Sequence, residues 1–173
     1  MRITWFGGQC VRASLGETSL CFFSDSAEPR FRKSELLANA IEVNENEFGP
    51  FVPYSGSKRE GSERLIDVID NPDRTFLDDG CYLVSAEPDE KLLFVPSGGH
   101  CPDAFEDEME GAVFLIEGAF EEVAKTLSAL IETRPRQCLL IVSDLENLDM
   151  QSLAKTVGKT PTQLLETGLA VEL

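Results

Sequence analysis

The sequence has few positive charges. Fifteen Lys and Arg residues stand against 31 Asp and Glu residues, which gives a formal net charge of −16. Binding to nucleic acid depends on cationic side chains that displace counterions from phosphates, and anionic membrane surfaces also attract clusters of basic residues. The composition therefore predicts that neither nucleic acid nor a membrane surface is a partner of this protein.

The sequence also lacks a long hydrophobic segment. No apolar run approaches the ~20 residues needed to cross a bilayer. The first residues, MRITWFG, have the pattern of a strand and not the basic and then hydrophobic pattern of a secretory signal. We therefore expect a cytoplasmic protein, and the length of 173 residues predicts a single domain over residues 1–173 with a sizeable core.

The sequence lacks the spacings of cysteine and histidine that are typical of disulfide frameworks and metal sites. The five cysteines include no C-x-x-C pair, and an odd, scattered set does not indicate a disulfide framework. A free cysteine behaves as a small buried hydrophobe, so we expect reduced thiols in the core. They are Cys10, Cys21, Cys81, Cys101 and Cys138. Histidine occurs once, as His100.

The sequence predicts mainly short strands, followed by one strand–helix–strand unit. Apolar and aromatic runs predict strands in the first half, and the turn at residues 87–90 predicts a hairpin. An apolar run at 112–117, a helical pattern at 118–133 and the fully apolar run QCLLIV at 137–142 predict two parallel strands joined by a right-handed crossover. The other predicted strands are 2–6, 9–14, 19–23, 38–43, 81–86, 91–96, 162–165 and 169–173. Short helices are predicted at 30–38 and 62–69. The predicted core positions are Trp5, Val11, Leu20, Phe22, Ile41, Leu93, Phe114, Ile116, Leu127, Leu139 and Ile141.

Several of these segments resemble one family. The opening MRITWFGGQCV resembles M-x-I-T-W-x-G-H-x-x-F, and VFLIEG followed by a helix and QCLLIV resembles D-x-x-L-L-P-x-G, helix and P-x-x-V-I-P-x-H. The ending LLETGLAVEL resembles L-x-x-G-x-x-x-x-L. These are motifs of the metallo-β-lactamase superfamily, in its branch of small cytoplasmic hydrolases. The resemblance implies an α/β fold, a shortened αββα sandwich.

The same resemblance gives a meaning to the stretch ANAIEVNENEF. It is similar to A-D-x-I-L-V-(T)-H-x-H-x-D-H, the zinc motif of the family, but its histidines are absent. Asn44 and Asn46 replace the first two histidines if one residue is deleted, and Glu45 and Glu47 replace them otherwise. Neutral amides cannot replace imidazoles around zinc. We expect this loop to lie at the strand ends without a transition metal, closed by amide hydrogen bonds or by Phe48 and Phe51.

The other ligand positions implied by the resemblance are also changed. Gly8 stands where the branch has the His of G-H, and Ser97 lies near the turn that supplies a bridging Asp. Ser143 and Asp144 stand where a late His is expected. A two-metal site of this kind needs about five imidazoles, and the chain has one. We therefore predict no bound cofactor, and the resemblance assigns no catalytic residue.

Three functional hypotheses follow. The first is a catalytically inactive protein that acts as a binding or scaffolding subunit, through a protein partner or self-association. The second is a hydrolase with an oxygen-rich site for Mg²⁺, Mn²⁺ or Ca²⁺, built from Glu45 and Glu47 and possibly joined by Asp25 or Asp144. The third is a metal-free enzyme that uses Cys101 with His100, although adjacent side chains rarely point at each other.

Overall fold

The computed structural model is a mixed α/β protein with two β-sheets, and it describes residues 1–43, 73–77, 80–87, 90–101 and 109–173. For residues 73–77, 86 and 87 it describes the backbone alone. The predicted loop of Asn44, Glu45, Asn46 and Glu47 lies outside the described residues, as do Phe48, Phe51 and a short helix predicted at 62–69. The predicted α/β class is confirmed.

The elements are short, and they are numbered here in chain order. The strands are β1 (Arg2–Trp5), β2 (Val11–Leu15), β3 (Thr18–Phe22), β4 (Ile41–Val43), β5 (Asp73–Leu77), β6 (Cys81–Glu87), β7 (Glu90–Val95), β8 (Val113–Gly118), β9 (Gln137–Val142), β10 (Thr162–Leu164) and β11 (Ala170–Glu172). The α-helices are α1 (Lys33–Leu36), α2 (Phe120–Leu130) and α3 (Met150–Val157), and 3-10 turns cover Ser24–Ser26, Ile131–Thr133 and Leu145–Asn147. No helix in the described ranges is long and apolar enough to cross a membrane.

The first sheet has the order β11-β1-β2-β3-β4. Its strands β1, β2 and β3 form an antiparallel meander, and β4 adds parallel to β3. In β2 the side chains of Val11, Ala13 and Leu15 are buried while those of Arg12 and Ser14 are partly exposed. This alternation arises because successive side chains of a strand point to opposite faces of the sheet. The sheet therefore has one apolar face and one mixed face.

The second sheet has the order β10-β9-β8-β7-β6-β5, and its strands β7 to β10 are parallel. Strands β8 and β9 are almost wholly buried because both faces of this sheet are covered. On one face, Phe94 and Tyr82 contact Phe22 of the first sheet, with ring centroids 5.2 Å and 5.7 Å apart. On the other face, α2 and α3 pack with residues such as Leu127 and Leu153.

The predicted strand–helix–strand unit is confirmed, since β8 and β9 are parallel neighbours and α2 connects them. Most of the predicted core is also buried. The confirmed core positions are Val11, Leu20, Phe22, Leu93, Phe114, Ile116, Leu127, Leu139 and Ile141. Trp5 is half-buried, and Ile41 was wrongly predicted to be buried. Ile41 is 39% exposed because β4 is an edge strand.

The sequence pattern missed one strand and overestimated one helix. Strand β5 pairs with β6, although the break at Asn71-Pro72 and the polar start of DRTFL gave no strand pattern. The helix predicted at 30–38 is reduced to the four residues of α1. Pairing with β6 determines strand β5 more than local propensity does.

Candidate functional site

The residues that follow several strands of the two sheets lie close together, at the carboxyl-terminal ends of those strands. Strands β1, β3 and β4 end at the same edge of the first sheet, and parallel strands β7, β8 and β9 end at one edge of the second. The amide Nε2 of Gln9, after β1, donates a hydrogen bond of 3.3 Å to the carbonyl oxygen of Ser97, after β7. The two edges therefore meet, and we call this region the strand-end edge.

Glu117 is a buried carboxyl group at the strand-end edge. It is the penultimate residue of β8 and is 9% exposed. Its Oε2 accepts a hydrogen bond of 2.7 Å from the backbone N–H of Ser97. Burial raises the pKa of Glu117, and the nearby charge of Glu122 raises it further, while hydrogen bonds from Ser97 and Gln9 partly offset the rise. Glu117 therefore holds its proton more tightly than an exposed glutamate does.

Ser97 lies between two carboxyl groups. Its hydroxyl donates to Oε2 of Glu122, in α2, over 3.2 Å, while its backbone N–H binds Glu117. Gly118 makes this approach possible, since its φ is +154° and a Cβ at that position would lie 2.7 Å from Oε2 of Glu122. The absence of a side chain at Gly118 therefore leaves space for the Ser97–Glu122 contact.

The backbone around Gly8 leaves no space for a side chain at that position. Its φ is +50°, in the left-handed region that favours glycine, and a Cβ there would collide with the carbonyl oxygen of Ser26. Trp5 fixes the same turn, because its indole Nε1 donates a hydrogen bond of 2.7 Å to the carbonyl oxygen of Gly8. A histidine at this position would require the Gly7-Gly8 turn to move.

Asp144 follows β9 and holds the start of α2. Its Oδ1 accepts a 2.6 Å hydrogen bond from the N–H of Phe120, and its Oδ2 accepts a 2.9 Å bond from the amide of Asn147. These two bonds, that of Asn147 first, lower the pKa of Asp144. The N–H of the preceding residue, Ser143, donates to the carbonyl oxygen of Gly118 over 3.0 Å. Asp144 therefore stabilises the N-terminal end of α2.

His100 and Cys101 have different surroundings. His100 is exposed and lines a cavity of about 330 Å³ together with Glu122 and Lys125 of α2. Cys101 also lines this cavity, yet its side chain is only 4% exposed. Its Sγ lies 3.2 Å from Sγ of Cys81 and 3.3 Å from Sδ of Met109. The thiol therefore faces other sulfur atoms in the core, a placement that does not favour a nucleophile for large substrates.

The described side chains do not fit the zinc centre that the family resemblance implies. Within the described ranges, no three His, Cys, Asp or Glu side chains converge as a metal ion would require. At the strand-end edge the carboxylates of Glu117, Glu122 and Asp144 accept hydrogen bonds, and the carboxylate of Asp25 forms an ion pair of 2.8 Å with Lys33. Zinc sites of hydrolases use imidazole ligands, so this donor set does not suit them.

Three residues of the strand-end edge were missed by sequence reasoning, namely Gln9, Glu117 and Glu122. Glu117 carries a signal that sequence analysis could have used, because it is a charged residue inside the otherwise apolar strand VFLIEG. Charged residues are rarely buried without partners, which makes such a position informative. Gln9 and Glu122 carry no comparable signal, since both lie in segments where polar residues are ordinary.

These observations define a mixed α/β protein with two sheets and a polar strand-end edge. No family model matches the chain, and no curated protein matches it. Among solved structures, the chain is similar to Igni18, described as a novel metallo hydrolase from the hyperthermophilic archaeon Ignicoccus hospitalis KIN4/I. The two share 10% sequence identity with a TM-score of 0.49, over 99% of this chain and 98% of that one.

Proposed function

We propose that residues 1–173 form one shortened metallo-β-lactamase-like αββα domain that carries out no zinc-dependent hydrolysis. In this proposal the protein is a cytoplasmic binding or scaffolding subunit, which acts through a protein partner or through self-association and binds no nucleic acid. The order of the elements and the shared core of the two sheets support the fold. The residues of the strand-end edge support the loss of zinc chemistry.

The proposal rests on three positions where the family resemblance places metal ligands, because the residues at these positions have structural contacts instead. Gly8 is closed by the carbonyl oxygen of Ser26, and Asp144 uses both carboxylate oxygens to hold Phe120 and Asn147. Ser97 joins the two sheets and binds two carboxylates. In this arrangement Gly8 offers no side-chain ligand, and the side chains of Ser97 and Asp144 already bind neighbouring groups of the protein.

Zinc content tests the proposal directly. Protein purified without added metal should contain well below one zinc ion per chain, measured by elemental analysis. Changing Asn44 and Asn46 together to His should raise zinc uptake, because these changes restore the two imidazoles of the zinc motif that the sequence ANAIEVNENEF resembles. The matched control is the change of both residues to Gln, which adds length without imidazole. Stoichiometric zinc in the wild-type protein would contradict the proposal.

A second candidate function, hydrolysis at an oxygen-rich divalent site, is favoured by Glu117. Its pKa is raised by burial and by Glu122, and a hard cation such as Mg²⁺, Mn²⁺ or Ca²⁺ would relieve the repulsion between the two carboxylates. In this alternative Glu45 and Glu47 would complete the ligand set.

Thermal denaturation with and without these ions separates the two candidates. The divalent-site candidate requires that one of the ions raises Tm and that Glu117→Gln, or the double change of Glu45 and Glu47 to Ala, removes the effect. Glu121→Gln is the matched control, because Glu121 is exposed on the same helix as Glu122. Our proposal expects that none of these ions raises the Tm of any of these proteins, and an ion-dependent shift lost only in the site variants would favour the second candidate.

A further inference from the structure

Two cysteines that are far apart in the sequence meet at the strand-end edge. Cys81 is the first residue of β6, and Cys101 follows the turn after β7. Their Sγ atoms are 3.2 Å apart across 20 residues of sequence, and the thiol of Cys81 donates to the sulfur of Cys101. A disulfide bond has a length of about 2 Å, so its formation requires an approach of only about 1 Å.

We propose that Cys81 and Cys101 are an oxidative modification site, which hydrogen peroxide converts reversibly into an intrachain disulfide. The cavity beside α2 is the access route, because Cys101 lines it together with Gly98, Gly99 and His100. Hydrogen peroxide is small enough for this cavity of about 330 Å³. Cys81 is fully buried behind Cys101 and reacts second.

Access to the cavity assigns the order of the two sulfurs. Cys101 lines the cavity and is 4% exposed, whereas Cys81 is 0% exposed. Both thiols donate hydrogen bonds, Cys81 to the sulfur of Cys101 and Cys101 to Sδ of Met109, so the hydrogen bonds do not distinguish the two thiols. The sulfur of Cys101 is therefore the one that meets the oxidant.

The reaction balances with one peroxide molecule. The sulfur of Cys101 attacks one peroxide oxygen and the O–O bond breaks, which gives a sulfenic acid and, with the thiol proton, one water molecule. The sulfur of Cys81 then attacks Sγ of Cys101 and the S–O bond breaks, so that the leaving hydroxide takes the proton of Cys81 as a second water. Two thiols lose two electrons in total, and both peroxide oxygens are reduced.

The new bond would tie the turn that carries Ser97 to the start of β6. Gly80 and Gly99 already lie close together there. A Cβ atom at Gly99 would be only 3.0 Å from the carbonyl oxygen of Gly80. The disulfide would therefore restrain a turn whose Ser97 holds Gln9, Glu117 and Glu122. Oxidation would act on the strand-end edge itself, and a reducing thiol would reverse it.

The chain supplies its own comparison sites. Cys138 is fully buried, and burial raises its pKa to about 12. Cys10 and Cys21 form a second buried hydrogen-bonded pair, but neither lines the cavity beside α2. If access through the cavity decides reactivity, these three thiols stay reduced while Cys81 and Cys101 react.

The test treats the native wild-type protein with hydrogen peroxide, removes the oxidant, and alkylates the remaining thiols after denaturation. We expect a loss of two of the five alkylation sites in the intact mass, a Cys81–Cys101 link in the peptide map, and full recovery with dithiothreitol. Cys101→Ser should abolish the loss, Cys81→Ser should leave a sulfenic acid that dimedone traps at Cys101, and Cys138→Ser should behave as wild type.

Several outcomes would overturn the proposal. They are the persistence of all five thiols, a link between Cys10 and Cys21, a link between two chains, or oxidation confined to Met109 as a sulfoxide. The peptide map of the wild-type protein decides among these outcomes even if a serine variant fails to fold.

Discussion

At the scale of single residues, Glu117 combines burial with a neighbouring negative charge. Its pKa is raised first by burial, and Glu122 adds to the rise. A carboxyl group whose pKa is higher in the folded chain than in the unfolded chain binds its proton more tightly when folded. Its contribution to stability is therefore present below the unfolded-state pKa and is lost as the pH rises through the folded-state value.

Replacing Glu117 with Gln should make this loss visible. The side-chain carbonyl group of the introduced glutamine would still accept the N–H of Ser97, but it would not ionise. The Tm of the variant relative to wild type should therefore increase from about pH 4, near the unfolded-state pKa of Glu, to about pH 7. Glu121→Gln is the control, and a Tm difference that stays constant over this range would contradict the raised pKa of Glu117.

At the scale of elements, β8 and β9 form the centre of the second sheet. Phe114 faces the helices and Ile141 faces the first sheet, and both are buried. Truncation of either residue to Ala should lower the free energy of unfolding by about 2–5 kcal/mol, because apolar contacts are lost and a cavity remains. Urea denaturation measures this change.

The control for these truncations is Leu145→Ala. Leu145 is 64% exposed in the turn after β9, so its truncation should change the stability by no more than about 0.5 kcal/mol. Equal effects at Leu145 and Ile141 would mean that β9 is not internal.

The elements also differ in how well the sequence predicts them. QCLLIV was predicted with the boundaries that β9 has, because a fully apolar run bounded by polar residues fits a strand that is buried on both faces. Strand β5 was missed because DRTFL becomes a strand through pairing with β6, and that pairing has no local signature. Ile41 was misplaced because the sequence does not reveal which strand lies at an edge.

At the scale of the whole molecule, the net charge of −16 opposes self-association. If the protein acts as a self-associating scaffold, added salt should strengthen the association, since repulsion between copies is screened. Sedimentation velocity from about 0.01 M to about 0.15 M salt, where the Debye length falls from ~30 Å to ~8 Å, measures this dependence. Oligomers that dissociate as salt is added would indicate an interface held by opposite charges.

The sequence by itself determined the acidic character, the scarcity of imidazole and the strand–helix–strand unit of β8, α2 and β9. Composition is independent of folding, and an apolar period reports which face of a local segment is buried. Only the tertiary structure decided the surroundings of Glu117, the collision that closes Gly8 and the meeting of Cys81 with Cys101. These contacts depend on how two sheets align at one edge, and no local pattern encodes the distance between loops that are remote in the chain.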